Sequence, residues 1–191
     1  MDKQDTKTTL LEAGLELFAL APYEGVSVQD IVDHVHVTKP TLYHHFKSKL
    51  GFYQAIFDTY AMPFLEIVRQ KSAFQHDFVN NLNELAEASL KFFIENPNIF
   101  WLLEYASNVS VHAEHYDYIM NFWRNFIQTI ENLFEQAVVQ HGNLRGKTSM
   151  TSWLFIHAIR AEIHAVLKEH QVYTPDLPYK LVHQFMYGIF A

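Results

Sequence analysis

The sequence predicts an all-helical (all-α) protein. Apolar residues recur at intervals of three and four along most of the 191 residues, which is the period of an amphipathic helix. No stretch shows the alternation of apolar and polar residues that is typical of a half-buried strand. Capping residues, prolines and glycines divide the chain into about nine helices without an internal repeat. We expect a three-helix domain at residues 1–50 and a larger helical domain at residues 51–191.

The composition is that of a well-packed globular chain. Hydrophobic residues make up 49% and aromatic residues 15%, which is enough for a sizeable core. No stretch approaches the roughly 18 uninterrupted apolar residues of a membrane span, and the polar start MDKQDTKTT lacks the apolar core of a secretion signal. Cysteine is absent, which excludes disulfides and thiolate metal sites. These features predict a cytoplasmic protein without a membrane partner.

The first helix is predicted at residues 6–20. Leu11, Leu15 and Phe18 share one face at positions i, i+4 and i+7, and Pro22 with Gly25 ends the helix. This face is therefore expected to pack on the rest of the first domain.

Two short helices are predicted next, separated by only a few residues. Ser27 is followed by Asp30 and Thr38 by Thr41, so that each pair places a hydroxyl where it can accept the free amide protons of a first turn. Such a pair of helices is typical of a helix-turn-helix, although capped short helices occur in any small helical domain. The apolar contacts between them are expected from Ile31, Val35, Val37 and Leu42, with Lys39, Thr41, Tyr43 and His44 mostly outward.

The distribution of charge along the chain says more about nucleic-acid binding than the net charge does. A net charge of −7 argues against nucleic-acid binding, because Lys and Arg contacts to phosphates supply most of the affinity. Between Asp33 and Asp58, however, there is no acidic residue, while Lys39, Lys47 and Lys49 lie in that segment. The sequence thus predicts a local cationic face on an acidic chain, with few cations per subunit.

Four segments of the first fifty or so residues resemble a known family. They are the leucine-rich LLEAGLELFAL, the run Gly25-Val26-Ser27-Val28, Asp30-Ile31, and the specific sequence TLYHHFKSK at residues 41–49. On these residues the chain resembles the amino-terminal DNA-binding domain of the TetR family of transcriptional repressors. One position departs from the family pattern, because His36 stands in the turn where glycine is usual. If its φ is positive, histidine costs about 1 kcal/mol relative to glycine.

The resemblance implies a role for each outward residue. Thr38, Lys39, Pro40 and Thr41, at the start of the recognition helix, would lie nearest the base edges of the major groove. By the resemblance, Tyr43 and His44 would contact phosphates, and Lys49 would add its charge to the positive end of the next helix. Leu42 and Phe46 are expected in the core, and His45 in a structural hydrogen bond. The predicted DNA-binding residues are Ser27, Thr38, Lys39, Pro40, Thr41, Tyr43, His44 and Lys49.

The larger domain is predicted to contain six further helices. The first of them starts at Lys49, and Pro63 should kink or interrupt it, because proline lacks an amide proton and clashes with the preceding turn. A helix that pivots there is a plausible consequence. The remaining helices are expected at residues 77–95, 99–109, 115–140, 148–170 and 178–190.

An excess of large rings predicts a small-molecule site in this domain. Core packing is the default interpretation of each ring, but polar residues are interleaved with them, and an apolar cavity with a few polar groups is the usual form of a ligand site. The resemblance implies an effector pocket here as well. Glu104 would suit a lipophilic cation, which is slightly favoured, whereas Arg124 or Arg160 would suit an anion. The predicted effector-binding residues are Phe93, Phe100, Trp101, Glu104, Tyr105, Asn108, Phe122, Trp123, Phe126, Trp153, His157 and Arg160.

Metal, cofactor and catalytic motifs are weak or absent. His112, Glu114 and His115 are possible metal ligands, but a polar helix start is the preferred interpretation, so no metal or cofactor is predicted. The sequence has no His-Glu-x-x-His motif, no Gly-rich phosphate loop and no cysteine nucleophile, so we do not expect an enzyme.

The last two helices predict a dimer. They carry more apolar surface than one subunit covers, so a two-fold homodimer with an intersubunit four-helix bundle is expected. Two recognition helices about 34 to 36 Å apart would then bind successive major grooves of a palindromic operator. The sequence thus predicts a repressor released from double-stranded DNA by a small lipophilic effector. A helical ligand carrier without DNA binding and an unrecognised enzyme are the alternatives. The apolar residues in question are Trp153, Ile156, Ile159, Ile163, Val166, Leu167, Leu181, Phe185, Met186 and Ile189.

Overall fold

The structure, a computed structural model, describes residues 3–188, with side chains from residue 6 onward. Every regular element in this range is a helix, which confirms the predicted fold class. Short 3₁₀ turns lie at Tyr23–Gly25 and Gly142–Leu144. The α-helices are α1 (Lys3–Phe18), α2 (Val28–His34), α3 (Lys39–Phe46), α4 (Lys49–Ile56), α5 (Met62–Lys71), α6 (Phe78–Glu95), α7 (Pro97–Ala106), α8 (Tyr116–Ala137), α9 (Thr148–Leu167) and α10 (Leu177–Tyr187).

The predicted helices are all present, with ends that shift by a few residues. A π turn at Phe57–Ala61 joins α4 to α5. If these three segments count as one interrupted helix, the described residues contain nine helices, as predicted. The π turn ends just before Pro63, where the sequence predicts a kink or interruption; the missing amide proton and the crowding of the preceding turn are the physical reason. The predicted end of the last helix at Phe190, and the apolar contact of Ile189, lie outside the described residues.

The chain divides into two compact units. The first contains the chain up to Pro63 together with Asn96–Phe122, and the second contains Phe64–Glu95 together with the chain from Trp123 onward. The predicted boundary at residues 50/51 is a division by function and stays a prediction.

The core of the first unit forms where α1 packs on α2, α4 and α7. Phe18, Phe52 and Tyr53 are each at most 2% exposed, and the Phe18 ring meets the Tyr53 ring edge-on at 4.8 Å. Ile31 of α2 and Leu42 of α3 are fully buried, as predicted for the helix-turn-helix contacts. Burial of such side chains fixes α2 and α3 in place.

Gly51, in the first turn of α4, is required by a close approach of the backbone. A Cβ at this position would lie 2.3 Å from the carbonyl oxygen of Phe46 at the end of α3. Because backbone cannot yield as a flexible side chain does, we expect Gly51→Ala to lower the free energy of unfolding by about 1 to 3 kcal/mol. Urea unfolding followed by circular dichroism measures this. Gly142→Ala is the matched control, since a Cβ there meets nothing within 4 Å; an equal loss in both variants would contradict the explanation.

The second unit is held together by α6, α9 and α10. Phe78, Phe134 and Phe155 are each at most 2% exposed, and the Phe78 and Phe134 rings meet edge-on at 4.9 Å. In contrast to this core, one group of large apolar side chains on α9 and α10 stays exposed: Met150, Trp153, Leu154, Tyr179 and Tyr187. No helix within residues 3–188 is long and apolar enough to cross a membrane.

Candidate nucleic-acid interface

Ser27 and Asp30 form the predicted capping box at the start of α2. The Ser27 hydroxyl accepts from the Asp30 amide at 3.1 Å, and the Asp30 carboxylate accepts from the Ser27 amide at 2.8 Å. The Ser27 hydrogen bonds lower the pKa of the Asp30 carboxyl. This box satisfies two of the free amides of α2 and fixes where the helix begins.

The turn between α2 and α3 is tight and has a left-handed residue. His36 has a φ of 56°, which is the positive angle that the sequence comparison with the family pattern suggested. The Val37 amide then donates to the Val32 carbonyl at 2.9 Å and closes the turn. The strain at His36 costs about 1 kcal/mol relative to glycine, and the buried side chains of α2 and α3 offset it.

The prediction for the Thr38 hydroxyl was wrong. Thr38 is the N-cap of α3, but its side chain makes no capping hydrogen bond to the first turn. Instead, its hydroxyl lies 2.9 Å from the hydroxyl of Thr41. The extended backbone of Thr38 and Pro40 in the first turn already set the start of the helix. The hydroxyls of Thr38 and Thr41 therefore form a pair on the surface of α3.

One face of α3 is buried and the other is exposed. Leu42 and Phe46 are 0% and 6% exposed, as predicted for core residues. The opposite face presents Lys39, Pro40, Tyr43 and His44, and the Tyr43 side chain is 42% exposed. Thr41 lies at the edge of this face. The structure thus brings the predicted residues of α3 together on one accessible surface.

Lys49 is held more firmly than expected for a surface lysine. Its ammonium donates to the carbonyl oxygen of Tyr23 at 2.6 Å and lies 4.0 Å from the centre of the Tyr23 ring. Loss of water around the ammonium lowers the pKa of Lys49, against the opposing effect of nearby Glu24 and Glu114. Lys49 begins α4, whose N-cap Ser48 accepts from the Gly51 amide at 2.9 Å. Lys49, which is predicted to contact a phosphate, is therefore already bound to Tyr23 within the protein.

Sequence reasoning did not single out Tyr23. Its side chain is 6% exposed, its ring lies 4.3 Å from the ring of His115, and its hydroxyl donates to the Glu114 carboxylate. Burial, and then the hydrogen bond to Glu114, raise the pKa of the Tyr23 hydroxyl. No local pattern indicates these contacts, because 91 residues separate Tyr23 from Glu114.

Within the segment His112 to His115, only the His115 side chain is buried. His115 is 3% exposed, its Nδ1 has no hydrogen-bond partner among the described residues, and burial lowers its pKa. Glu114 accepts from Tyr23. Among the described residues no three histidine, aspartate or glutamate side chains are placed to hold a metal ion.

Comparisons with known proteins agree with this geometry. Residues 10–56, which contain α2, α3 and α4, match the family described as bacterial regulatory proteins of the tetR family. The helix-turn-helix segment of this chain is of the TetR type. The HTH-type transcriptional activator FasR of Mycolicibacterium smegmatis is 30% identical over 92 residues. That alignment spans 48% of this chain and only 42% of the relative.

The fold of the chain also recurs in solved structures. A candidate fatty acid metabolism regulator of Clostridium perfringens superimposes with a TM-score of 0.81 at 18% identity, over 96% of this chain and 99% of the other. The regulator FadR of Bacillus subtilis, solved with stearoyl-CoA, gives a TM-score of 0.74 at 14% identity, over 95% and 98%. At these identities the likeness establishes the fold.

The predicted effector residues fall in both units. In the first unit Phe100 and Phe122 are buried, the Phe100 and Trp101 rings lie 5.1 Å apart, and the Tyr105 hydroxyl donates to the Leu20 carbonyl at 3.1 Å. Glu104 is half-buried and Asn108 is exposed.

The remaining predicted effector residues lie in the second unit. The rings of Phe93 and Phe126 both contact Phe64, at 4.4 and 5.9 Å, and Trp123 meets Phe126 edge-on at 5.7 Å. These rings form one aromatic cluster. Trp153 and His157 stack at 5.4 Å on the exposed side of α9, apart from that cluster in sequence, and Arg160 is half-buried.

A groove in the second unit was not expected from the sequence. It has a volume of about 500 Å³, and its apolar lining includes Phe78, Leu144, Phe185 and Met186. His141 and Lys147 lie at its edge, and none of the predicted effector residues lines it. The groove combines an apolar surface with basic groups, which is a suitable environment for an amphipathic anion.

Proposed function

We propose that this TetR-family chain is a ligand-responsive repressor that binds a palindromic DNA operator as a homodimer. The exposed face of α3 supports the proposal most directly, because its polar residues lie together while Leu42 and Phe46 anchor the other side of the helix. A helix presented in this way fits the major groove with its first residues toward the bases. The proposal places the protein in the cytoplasm, where the DNA is.

The residues of this surface have two tasks in the proposal. Lys39 and Thr41, at the start of α3, read bases, because lysine donates to guanine acceptors and threonine bonds a base or touches a thymine methyl. Tyr43, His44 and Lys49 contact phosphates and fix the register. Ser27, Thr38 and Pro40 shape the helix starts that present them.

The proposed dimer forms through α9 and α10. Trp153 and Leu154 of α9 are 41% and 57% exposed, and Tyr179 and Tyr187 of α10 are 61% and 58% exposed. Large apolar groups exposed together favour association with a partner, and a two-fold dimer covers the same surface on both subunits. Because each subunit offers few cations to DNA, useful affinity needs both recognition helices at once.

The proposed effector is a fatty acyl compound, with an acyl-CoA as the first candidate. FadR of Bacillus subtilis was solved with stearoyl-CoA, and the Clostridium perfringens protein is assigned to fatty acid metabolism. Of the two effector charges that the sequence left open, this choice favours the anion over the cation. Arg124, Arg160 and the basic edge of the groove are the groups that would meet its charge.

Two places in the second unit are candidates for the acyl chain. The aromatic cluster around Phe64 contains the predicted residues Phe93, Trp123 and Phe126, whose rings pack against one another. The groove beside Leu144 is the alternative, and the absence of any acidic residue between Glu135 and Glu162 favours an anion there. Leu144→Trp would place a large ring among the residues that line this groove.

The proposed mechanism is a shift between two conformers. The effector binds one conformer better than the other, and in the favoured conformer the helix that starts at Lys49 pivots at the π turn beside Pro63. A π turn is a natural pivot, because its hydrogen bonds are already displaced from the α-helical pattern. The two recognition helices then lose the spacing of about 34 to 36 Å that successive major grooves demand.

A gel shift with the DNA that flanks the protein's own gene tests the proposal. We expect a retarded complex that unlabelled specific DNA competes away, and release of that DNA on titration with stearoyl-CoA but not with CoA alone. Ligand binding without any DNA complex would instead indicate a helical carrier. Turnover of stearoyl-CoA, followed by mass spectrometry, would indicate an enzyme. A complex that no acyl-CoA changes would reject this effector class.

A further inference from the structure

Tyr23 connects two residues with different tasks in the first unit. Its carbonyl oxygen and ring hold the Lys49 ammonium, at 2.6 Å and 4.0 Å, while its hydroxyl donates to the Glu114 carboxylate. Lys49 begins α4, whereas Glu114 belongs to the segment of residues 107–115 between α7 and α8. Tyr23 therefore contacts both Lys49 and Glu114, and a change at Glu114 can reach Lys49 through this single residue.

The surroundings keep this connection in place. The Tyr23 ring stacks on Phe18 at 6.1 Å and meets Tyr53 edge-on at 5.0 Å. On the side of Glu114, the buried ring of His115 lies 4.3 Å from Tyr23 and 5.4 Å from Tyr53. Glu114 is thus attached to a residue that packs in the same aromatic cluster, which limits how far its carboxylate can move while His115 stays buried.

Holding Lys49 is useful for phosphate binding. A free lysine side chain carries about 2 kcal/mol of rotamer entropy, which is lost when its ammonium is fixed on a phosphate. Here the ammonium is already fixed, and it uses one of its three protons on the Tyr23 carbonyl. The remaining protons can donate to a phosphate at the positive end of α4.

We propose that Tyr23 and Glu114 are positioning residues for the Lys49 phosphate contact, so that the segment of residues 107–115 controls DNA affinity through them. The inference rests on the proposed DNA binding and names a route for its regulation. An effector that displaces this segment breaks the hydrogen bond to Glu114, loosens Tyr23 and leaves Lys49 mobile. DNA affinity then falls without any change in the face of α3.

Simple electrostatics predicts the opposite change in DNA affinity when the charge of Glu114 is removed. A carboxylate close to a phosphate contact repels DNA, so its neutralisation should raise affinity. The positioning role requires affinity to fall when the carboxylate is neutralised. Glu24 supplies the matched control, since it acts on both Tyr23 and Lys49 as a nearby negative charge, whereas Glu114 alone of the two accepts from the Tyr23 hydroxyl.

The experiment compares operator binding by the full-length wild type and by Glu114→Gln, Tyr23→Phe and Glu24→Gln across a range of salt concentrations. Glu114→Gln replaces a charge-assisted hydrogen bond by a neutral one, and Tyr23→Phe removes it. We expect each change to weaken binding about 3- to 10-fold. The slope of log affinity against log salt should fall by up to about 0.9 for each subunit. Glu24→Gln should leave affinity unchanged or raise it.

The same change made in the Lys49→Ala variant separates a positioning role of Glu114 from a general effect on the structure. In Lys49→Ala, the further change Glu114→Gln should no longer lower affinity, and the melting temperatures of all variants should confirm folded protein. Equal losses in both backgrounds, or a rise in affinity in Glu114→Gln like that in Glu24→Gln, would overturn the inference while leaving DNA binding intact. Absence of DNA binding by the wild type itself would overturn the proposed function together with it.

Discussion

Lys39→Ala and Thr41→Ala are expected to change which DNA sequence the protein prefers, whereas Tyr43→Phe and Lys49→Ala weaken binding to every sequence alike. The first pair stands at the start of α3, and each lost base contact lowers discrimination by about 1 to 3 kcal/mol at one position of the site. The second pair acts on phosphates, which carry no sequence information. Selection of bound sequences from a random DNA pool, for the wild type and each variant, measures the difference.

The salt dependence of DNA binding provides a control for these assignments of base and phosphate contacts. Lys49→Ala removes a cation, so the slope against log salt should fall by about 0.9 for each subunit. Tyr43→Phe keeps the charge and should leave that slope nearly unchanged. Wild-type affinity of Lys49→Ala at low salt, or an altered sequence preference in Tyr43→Phe, would show that the roles are assigned wrongly.

Carboxylates introduced on the exposed face of α9 are expected to weaken operator binding strongly by disrupting the proposed dimer. The double change Trp153→Glu and Leu154→Glu places two carboxylates on side chains that are 41% and 57% exposed, so the fold should survive while the dimer does not. Without the second recognition helix, affinity should fall by about 10²- to 10⁴-fold, which is the usual gain from joining two binding events. Sedimentation equilibrium gives the oligomeric state, and a gel shift gives the affinity.

Val139→Glu is the matched control for this variant. Val139 is 91% exposed and follows α8, so the same type of change there removes no proposed contact. We expect this variant to stay dimeric and to bind the operator as the wild type does. A double variant of α9 that sediments as a dimer and keeps operator affinity would remove α9 from the proposed interface.

The features that could be predicted from the sequence depend on residues that are close together in the chain. The capping box of Ser27 and Asp30 and the burial of Leu42 and Phe46 could be predicted, because each follows from residues within a few positions of one another. The positive φ of His36 was raised only as a condition, from the glycine that is usual there in the family. The interruption before Pro63, seen as the π turn at Phe57–Ala61, is also local, since a missing amide proton acts on its own helical turn. The family resemblance rests on this segment for the same reason.

Side-chain partners were harder to predict even over short distances. Thr38 has the right residue type and position for a cap, yet its hydroxyl pairs with Thr41 instead. A hydroxyl rotates among several acceptors of similar energy, so sequence spacing limits its choices without deciding between them. The predicted effector residues illustrate the same limit, because regular spacing on a helix does not tell which rings share a cluster.

The sequence by itself determined the helical class, the order of the helices and the residues that α3 exposes, because periodicity and caps act within one or two turns. Only the tertiary structure decided that Lys49 is held by Tyr23, that Tyr23 reaches Glu114, and that a groove opens beside Leu144. These contacts join residues far apart in the chain, and they depend on how buried side chains fit against one another. That fit is a property of the packed core, which no local pattern of residues contains.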